Sequence, residues 1–170
     1  MVVASVPAEY INLRKKLMDD FIFYAPRCLK IVSKKGHLEP FILNEAQILV
    51  HRMLEERLAT KGYVRALMLK ARKLGLSTYT EGRFYHKVTH RPGVNAKIMT
   101  EADESRDTLF RMVKTYHDFM PAELKPATKA SSEKALVFDN DKGTGLKSRY
   151  DVKTCDSKGG KGMNSHYNHW

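Results

Sequence analysis

Cysteine is scarce in this 170-residue chain. Cys28 and Cys155 are the only two, lie far apart and form no CxxC pair. That spacing argues against a secreted disulfide framework. The seven histidines read as scattered and form no HExxH motif, so no zinc site is expected. No apolar run approaches the roughly 20 residues needed to span a bilayer. The opening MVVASVPAEY has no basic segment followed by a long apolar stretch, so no signal peptide is expected and the chain is read as cytoplasmic. Internal repeats and low-complexity tracts are also missing. So is an apolar strand ending in an acidic pair. Leu136-Val137-Phe138-Asp139 comes nearest, but Asn140 stands where the second carboxylate would be.

What remains is globular and basic. Hydrophobic residues make up 42% and charged residues 29%, a composition able to build a core. A chain of this length suits one domain and buries roughly 70% of its unfolded surface, so it needs no staple. Thirty Lys and Arg against 19 Asp and Glu give a net charge of +11. A surplus of that size attracts polyanions, chiefly nucleic acid or phosphate groups. An unspecialised basic surface would show the same number.

Periodicity and punctuation divide the chain into alternating elements. Residues 8–24 place Ile11, Leu17, Phe21 and Tyr24 near one helical face, and Pro26 is expected to interrupt it. Residues 29–35 read as a short extended piece. Residues 44–59 read as a helix capped by Asn44, with Gln47 placed for a capping box, Ile48, Leu49, Met53, Leu54 and Leu58 inward, and Gly62 as the stop. Tyr63–Leu69 is predicted to be a buried strand. A basic turn, a helix over 76–88 weakened by Gly82, a strand at 96–100 and a long helix over 101–119 follow. Short strands are predicted at 136–138 and 148–154, then a glycine-rich basic loop over 155–165. The order predicts an α/β fold with a parallel sheet.

One stretch carries chemistry. Ala66–Thr80, ALMLKARKLGLSTYT, reads as a strand, a basic turn, then Gly75 with Ser77-Thr78 opening a helix. That is the arrangement of a phosphate-binding loop. On the GxxxxGK[ST] frame, Lys70 replaces the first glycine, Gly75 is the second, Leu76 replaces the lysine and Ser77 supplies the hydroxyl. Glycine lets backbone N–H groups approach a phosphate, and the hydroxyl suits Mg2+. Lys70, Arg72 and Lys73 offer cations from the other side of the loop. The plainer alternative is a basic surface turn with Gly75 used only for the bend. Upstream, Phe41 and Gln47 form an aromatic and amide pair suited to stacking on adenine and reading its edge. Here too a simpler role exists, with Phe41 as a hydrophobic staple and Gln47 as a cap.

Together, PFILNEAQ at 40–47, LKARKLGLST at 69–78 and IMTEADESRDTLFRMVKTYHDFMP at 98–121 resemble the N-terminal part of the tailed-bacteriophage terminase large subunit, the ATPase motor that packages viral DNA. The resemblance implies a P-loop NTPase-like fold of the RecA/ASCE type, with a mostly parallel sheet flanked by helices. It implies an adenine-motif segment over 1–62 and an incomplete ATPase core over 63–170. It further implies ATP and Mg2+ as cofactors, with Phe41 and Gln47 on adenine. Lys70 and Arg72 would lie on the β/γ-phosphates, Gly75 and Leu76 would act as backbone donors, and Ser77 with Thr78 would stand at the metal. Double-stranded DNA, the small terminase subunit and the portal would be partners, with no membrane, in a ring assembled in the host cytoplasm. The acidic strand, coupling motif and nuclease carboxylates of that family are not found, so the chain is expected to be truncated, with little turnover alone. Two alternatives stay open: a non-catalytic basic nucleic-acid-binding domain using Lys70–Lys73 and Lys158–Lys161, and another helicase-like P-loop protein.

Overall fold

The computed structural model describes residues 7–69, 71–132, 134–140, 142, 144–155 and 165–170. Helices α1 (Ala8–Asp19) and α2 (Phe21–Cys28) come first, followed by a hairpin of β1 (Lys30–Val32) and β2 (Leu38–Pro40). Next are α3 (Glu45–Lys61), α4 (Leu76–His90), β3 (Asn95–Thr100) and α5 (Asp103–Asp118). The last described elements are β4 (Ala130–Ser131), β5 (Ala135–Phe138), β6 (Ser148–Thr154) and β7 (Tyr167–His169). None of the described helices is long and apolar enough to cross a membrane.

The main sheet is mixed, in the order β4-β5-β6-β3-β7. β3 runs parallel to both β6 and β7, while β5 runs antiparallel to β4 and β6. The expected mostly parallel sheet is therefore only half present. Chain length explains the difference. Residues 139–147 are too few for the crossover of a dozen or more residues that a parallel β5–β6 pair would need, so the chain turns back on itself. β7 was not expected at all. Its three residues carry no apolar alternation, and it is fixed by pairing with β3 and by the His169 ring.

Helix α4 lies at the centre. Its Tyr85 meets Phe138 of β5 edge-on, with ring centroids 6.0 Å apart. Ser148 Oγ donates to the Val88 carbonyl at 2.6 Å, and the Tyr150 hydroxyl bonds Glu81. Ser148, Tyr150 and Val152 alternate along β6, so one sheet face packs on α4. Residues from α1 and α2 through β6 share a single core cluster. Gly82 does not merely weaken α4, since a Cβ there would come within 2.9 Å of the Phe41 ring. It is the point of closest approach between α4 and the aromatic core.

Three expectations change, and a fourth falls outside the described residues. The helix predicted over 8–24 breaks at Asp20, which takes extended dihedrals and caps α2 by accepting the Phe23 N–H at 2.9 Å. α2 then continues through Pro26 to Cys28, and Ile11 is exposed. On α3, Leu49 and Met53 face solvent while Gln47 and His51 are buried. The predicted strand at 63–69 is irregular chain, and Leu67 and Leu69 are fully exposed. Apolar content alone made it read as a strand, but among the described residues no neighbouring strand pairs with it. The glycine-rich loop predicted over 155–165 lies almost wholly outside the described residues.

Candidate functional site

The loop Ala71–Gly75 leads into the N-terminus of α4. Lys73 and Gly75 both adopt left-handed dihedrals, with φ of 66° and 72°. For lysine that conformation costs free energy, and such backbone strain clusters at functional sites. Gly75 is the N-cap of α4, and no side chain caps the helix. Tyr79 N–H is the first to bond back, to the Gly75 carbonyl. The N–H groups of Leu76, Ser77 and Thr78 are thus left without intrahelical partners, at the positive end of the helix dipole. Asp20 caps α2, and Asn44 and Gln47 form a full capping box on α3, whereas α1 and α5, like α4, have no side-chain cap.

The loop takes its shape from α3. Asn44 Nδ2 donates to the Leu74 carbonyl at 3.2 Å, and Gln47 Nε2 donates to the Gly75 carbonyl at 2.7 Å. One turn on, the His51 Nδ1 and Tyr79 hydroxyl are 3.0 Å apart. Another turn on, Glu55 and Arg83 form an ion pair at 2.5 Å. Asn44, Gln47, His51 and Glu55 recur at three- and four-residue spacing, so they form one stripe on α3. That stripe meets a matching one on α4. Burial holds His51 below its ordinary pKa, so the ring is neutral near pH 7, and its Nδ1 shares one hydrogen bond with the Tyr79 hydroxyl. The seam is polar, which is why the apolar Leu49 and Met53 point outward.

The predicted site residues sort into two groups. Gln47, Gly75, Leu76, Ser77 and Thr78 come together around the start of α4. Among the described residues the Ser77 hydroxyl has no hydrogen-bond partner. Thr78 is held by its carbonyl, which accepts from the Tyr116 hydroxyl at 3.1 Å. Arg72 lies exposed in the turn before Gly75. Phe41 stands apart. Its ring is 1% exposed, stacked on Tyr116 and edge-on to Phe21. Gln47 is 3% exposed and both ends of its amide are engaged, the oxygen by the Asn44 N–H and the nitrogen by Gly75. Lys70 lies outside the described residues.

Asp139, the nearest approach to an acidic strand end, is remote from the loop. Phe138 pairs with Ser148, and Ser148 bonds Val88, thirteen residues along α4 from Gly75. At 1.5 Å per residue Val88 is about 20 Å from Gly75, and Asp139 lies at that far end of α4. Its carboxylate accepts the Asn140 and Gly145 N–H groups and so serves a turn. Another carboxylate on α4, Glu81, lies six residues along the helix from Gly75, fully buried and held by Tyr150 and by the His169 Nδ1 at 2.9 Å. No pattern in the sequence announced that cluster. It needs the sheet to bring positions 81, 150 and 169 together.

The histidines are less scattered than they read. His86 and His90 stand one helical turn apart with ring centroids at 4.7 Å. His86 Nε2 is 2.8 Å from the Leu17 carbonyl and His90 Nδ1 is 2.9 Å from the His86 carbonyl, so both donate to backbone. Among the described residues no group of three or more His, Cys, Asp or Glu is placed to hold a metal. Mg2+ commonly keeps several waters and takes one or two protein oxygens plus phosphates. Ser77 suits that pattern as a single oxygen.

A cleft of about 210 Å³ reaches the first turn of α4 at Thr78. β1 forms one wall, residues Lys30–Val32, and Thr78 of α4 stands at one end. The opposite wall is α5, through Thr108, Met112 and Thr115, with Arg111 at the same face.

The fold is similar to that of the HK97 bacteriophage large terminase. The TM-score is 0.66 at 16% sequence identity, over 87% of this chain and 29% of that one. The chain thus spans under a third of that protein's length, and at this identity the likeness is one of fold. No protein-family model matches the sequence, and no curated protein matches it.

Proposed function

We propose that this chain binds ATP with Mg2+ at the loop ending in Gly75, as the nucleotide-binding part of a DNA-packaging motor of the terminase large-subunit kind. One observation carries the reading. The uncapped N-terminus of α4 follows two left-handed residues and presents the Leu76, Ser77 and Thr78 N–H groups beside a Ser77 hydroxyl that has no hydrogen-bond partner among the described residues. Backbone donors at a helix N-terminus, aided by its dipole, suit a phosphate chain. Ser77, with Thr78 beside it, would meet the metal, and Arg72 and Lys70 would neutralise phosphate charge. The fold likeness to a large terminase and the +11 charge agree with this assignment. In this reading double-stranded DNA, a small subunit and a portal are the partners, in a ring working in the host cytoplasm. Phosphoryl transfer depends on positioning and charge neutralisation, and a carboxylate must orient water. Asp139 is too distant for that task, so binding without appreciable turnover is expected of these residues by themselves.

The test is a nucleotide-dependent shift in unfolding temperature, run alongside a steady-state ATPase assay. ATP with Mg2+ should raise the midpoint, and Ser77→Ala should remove most of the Mg2+-dependent part. Salt-dependent DNA binding with no shift from ATP would replace the proposal with a plain nucleic-acid-binding role. Robust turnover lost in Ser77→Ala would show that catalytic groups are present after all.

A further inference from the structure

The seam between α3 and α4 is a ladder with one rung unfilled. Along α4 from its N-cap, Gly75, Tyr79, Arg83 and Lys87 stand four residues apart and so line one side of the helix. The first three meet Gln47, His51 and Glu55 of α3. The next positions on α3 are Leu58 and Ala59, whose side chains carry no acceptor. Lys87 is nonetheless 6% exposed, and among the described residues its ammonium makes no hydrogen bond and no ion pair. Arg83, one turn before it, is buried to the same degree. Its Nη2 donates to Glu55 at 2.5 Å, while its buried Nε has no partner.

Two buried cations thus share one carboxylate, and it bonds only the first of them. Burial pulls the Lys87 ammonium below its ordinary pKa, Glu55 pulls it up, Arg83 and Arg91 push it down, and Asp19 lifts it. His90, beside them on α4, is lowered by Arg14 of α1 as well as by Lys87. Four cations therefore act on this end of the seam, and the carboxylates that act on Lys87 are Glu55 and Asp19. A buried charge is unfavourable unless an opposite charge and full hydrogen bonding meet it. Glu81 and Tyr85 turn toward the sheet, through Tyr150 and Phe138. At 3.6 residues per turn, Arg83 and Lys87 lie on the opposite side of α4. Lys87 is also ten residues beyond Ser77, about 15 Å along the axis, so the pair is separate from the Gly75 loop.

We infer that Arg83 and Lys87 form a second oxyanion site, which takes one phosphate group at the unfilled rung. The Arg83 Nε–H and the Lys87 ammonium are donors one helical turn apart. A tetrahedral phosphate has oxygens enough to accept from both, while Glu55 keeps its bond to Nη2. A guanidinium presents its donors as a fixed fork, and an ammonium rotates to suit. Arg14 and Arg91, both exposed, stand at the rim and draw an anion in. The chemistry suits free inorganic phosphate or a phosphodiester of a nucleic-acid backbone, and it stands whatever the Gly75 loop binds.

The experiment compares the wild-type chain with Lys87→Met and Lys87→Arg, without Mg2+. In one arm inorganic phosphate replaces chloride at constant ionic strength, and unfolding midpoints are read. In the other a short DNA duplex is titrated at several salt concentrations. Without ligand, Lys87→Met should melt no lower than the wild type, because methionine keeps the stem and removes an unpaired cation. Phosphate should raise the wild-type midpoint, Lys87→Met should lose about tenfold or more in phosphate affinity, and Lys87→Arg should keep the response. If DNA is the source, free phosphate leaves the midpoint unmoved. The slope of log affinity against log salt then becomes shallower by about 0.9 in Lys87→Met. A Lys87→Met chain that matches the wild type in both arms would overturn the site. So would a ligand-free midpoint several degrees lower in Lys87→Met, since the ammonium would then be satisfied by the folded chain itself.

Discussion

Replacing Gly75 with alanine tests whether α3 sets the geometry of the loop. Gly75 holds φ at 72°, where an L-residue costs about 1–2 kcal/mol. A Cβ there would also meet Gln47 Nε2 at 2.7 Å. Gln47 is 3% exposed and its amide is bonded at both ends, so it cannot swing aside freely. Displacing it forfeits a hydrogen bond worth about 0.5–1.5 kcal/mol. The summed cost is about 1.5–3.5 kcal/mol, which at about 2–4 °C per kcal/mol for a chain of this size lowers the unfolding midpoint by roughly 3–14 °C. The decisive measurement is a double-mutant cycle followed by circular dichroism in urea. With Gln47→Ala already in place the clash is gone, and Gly75→Ala should cost only the backbone strain. A coupling of about 1 kcal/mol is expected, above the roughly 0.3–0.5 kcal/mol scatter of independent sites. Additive effects would refute the idea that Gln47 and Gly75 form one unit. A neutral Gly75→Ala would refute the left-handed loop.

Two further outcomes follow from buried groups and exposed ones. Burial lowers His86 to about 3 and His117 to about 4, against an ordinary 6.5, so the unfolded chain binds more protons between those values. Stability should be full above about pH 6.5 and fall as pH drops toward 4 and then 3, by up to about 1.4 kcal/mol per unit for each histidine. His86→Gln, which keeps a donor for the Leu17 carbonyl, should flatten the lower part of that slope in unfolding midpoints measured against pH. Leu67→Glu and Leu69→Glu should each change stability by no more than about 0.5 kcal/mol in urea, as surface changes do. A loss of several kcal/mol would mean that 63–69 is a buried strand after all.

Where local chemistry decides structure, the sequence was legible. The capping box at Asn44 and Gln47, the Gly62 stop, the long helix after residue 100 and the strands at 96–100, 136–138 and 148–154 all follow from spacing and turn residues. So does the glycine bend that opens α4. Illegible features depend on partners distant in the chain. Leu49 and Met53 looked inward because an apolar side chain at helical spacing usually is. α3 instead buries Gln47 and His51, because α4 offers Gly75 and Tyr79 to satisfy them. The same holds for Tyr63–Leu69. An apolar run makes a strand only where another strand accepts its hydrogen bonds, and composition cannot show whether one does. The cleft was invisible for a third reason, since it joins a hairpin edge to one face of a helix some eighty residues away.

The polar seam between α3 and α4 also bears on why the loop has a single shape. An apolar interface fixes distance but tolerates small rotations, because dispersion contacts have no preferred direction. Hydrogen bonds weaken steeply when bent. The Gly75 carbonyl accepts from both Tyr79 N–H and Gln47 Nε2, which leaves it one orientation. With the carbonyl fixed, the peptide plane that follows is fixed as well, and so is the direction of the Leu76 N–H. Leu74 is held one residue earlier through Asn44. The donors at the head of α4 are therefore aimed before any ligand arrives, and a ligand that uses them does not have to order the loop as it binds. That role asks for an amide at position 47, able to accept from Asn44 and donate to Gly75 at once. Glutamate there would keep the first bond and turn the second into a repulsion between two oxygens.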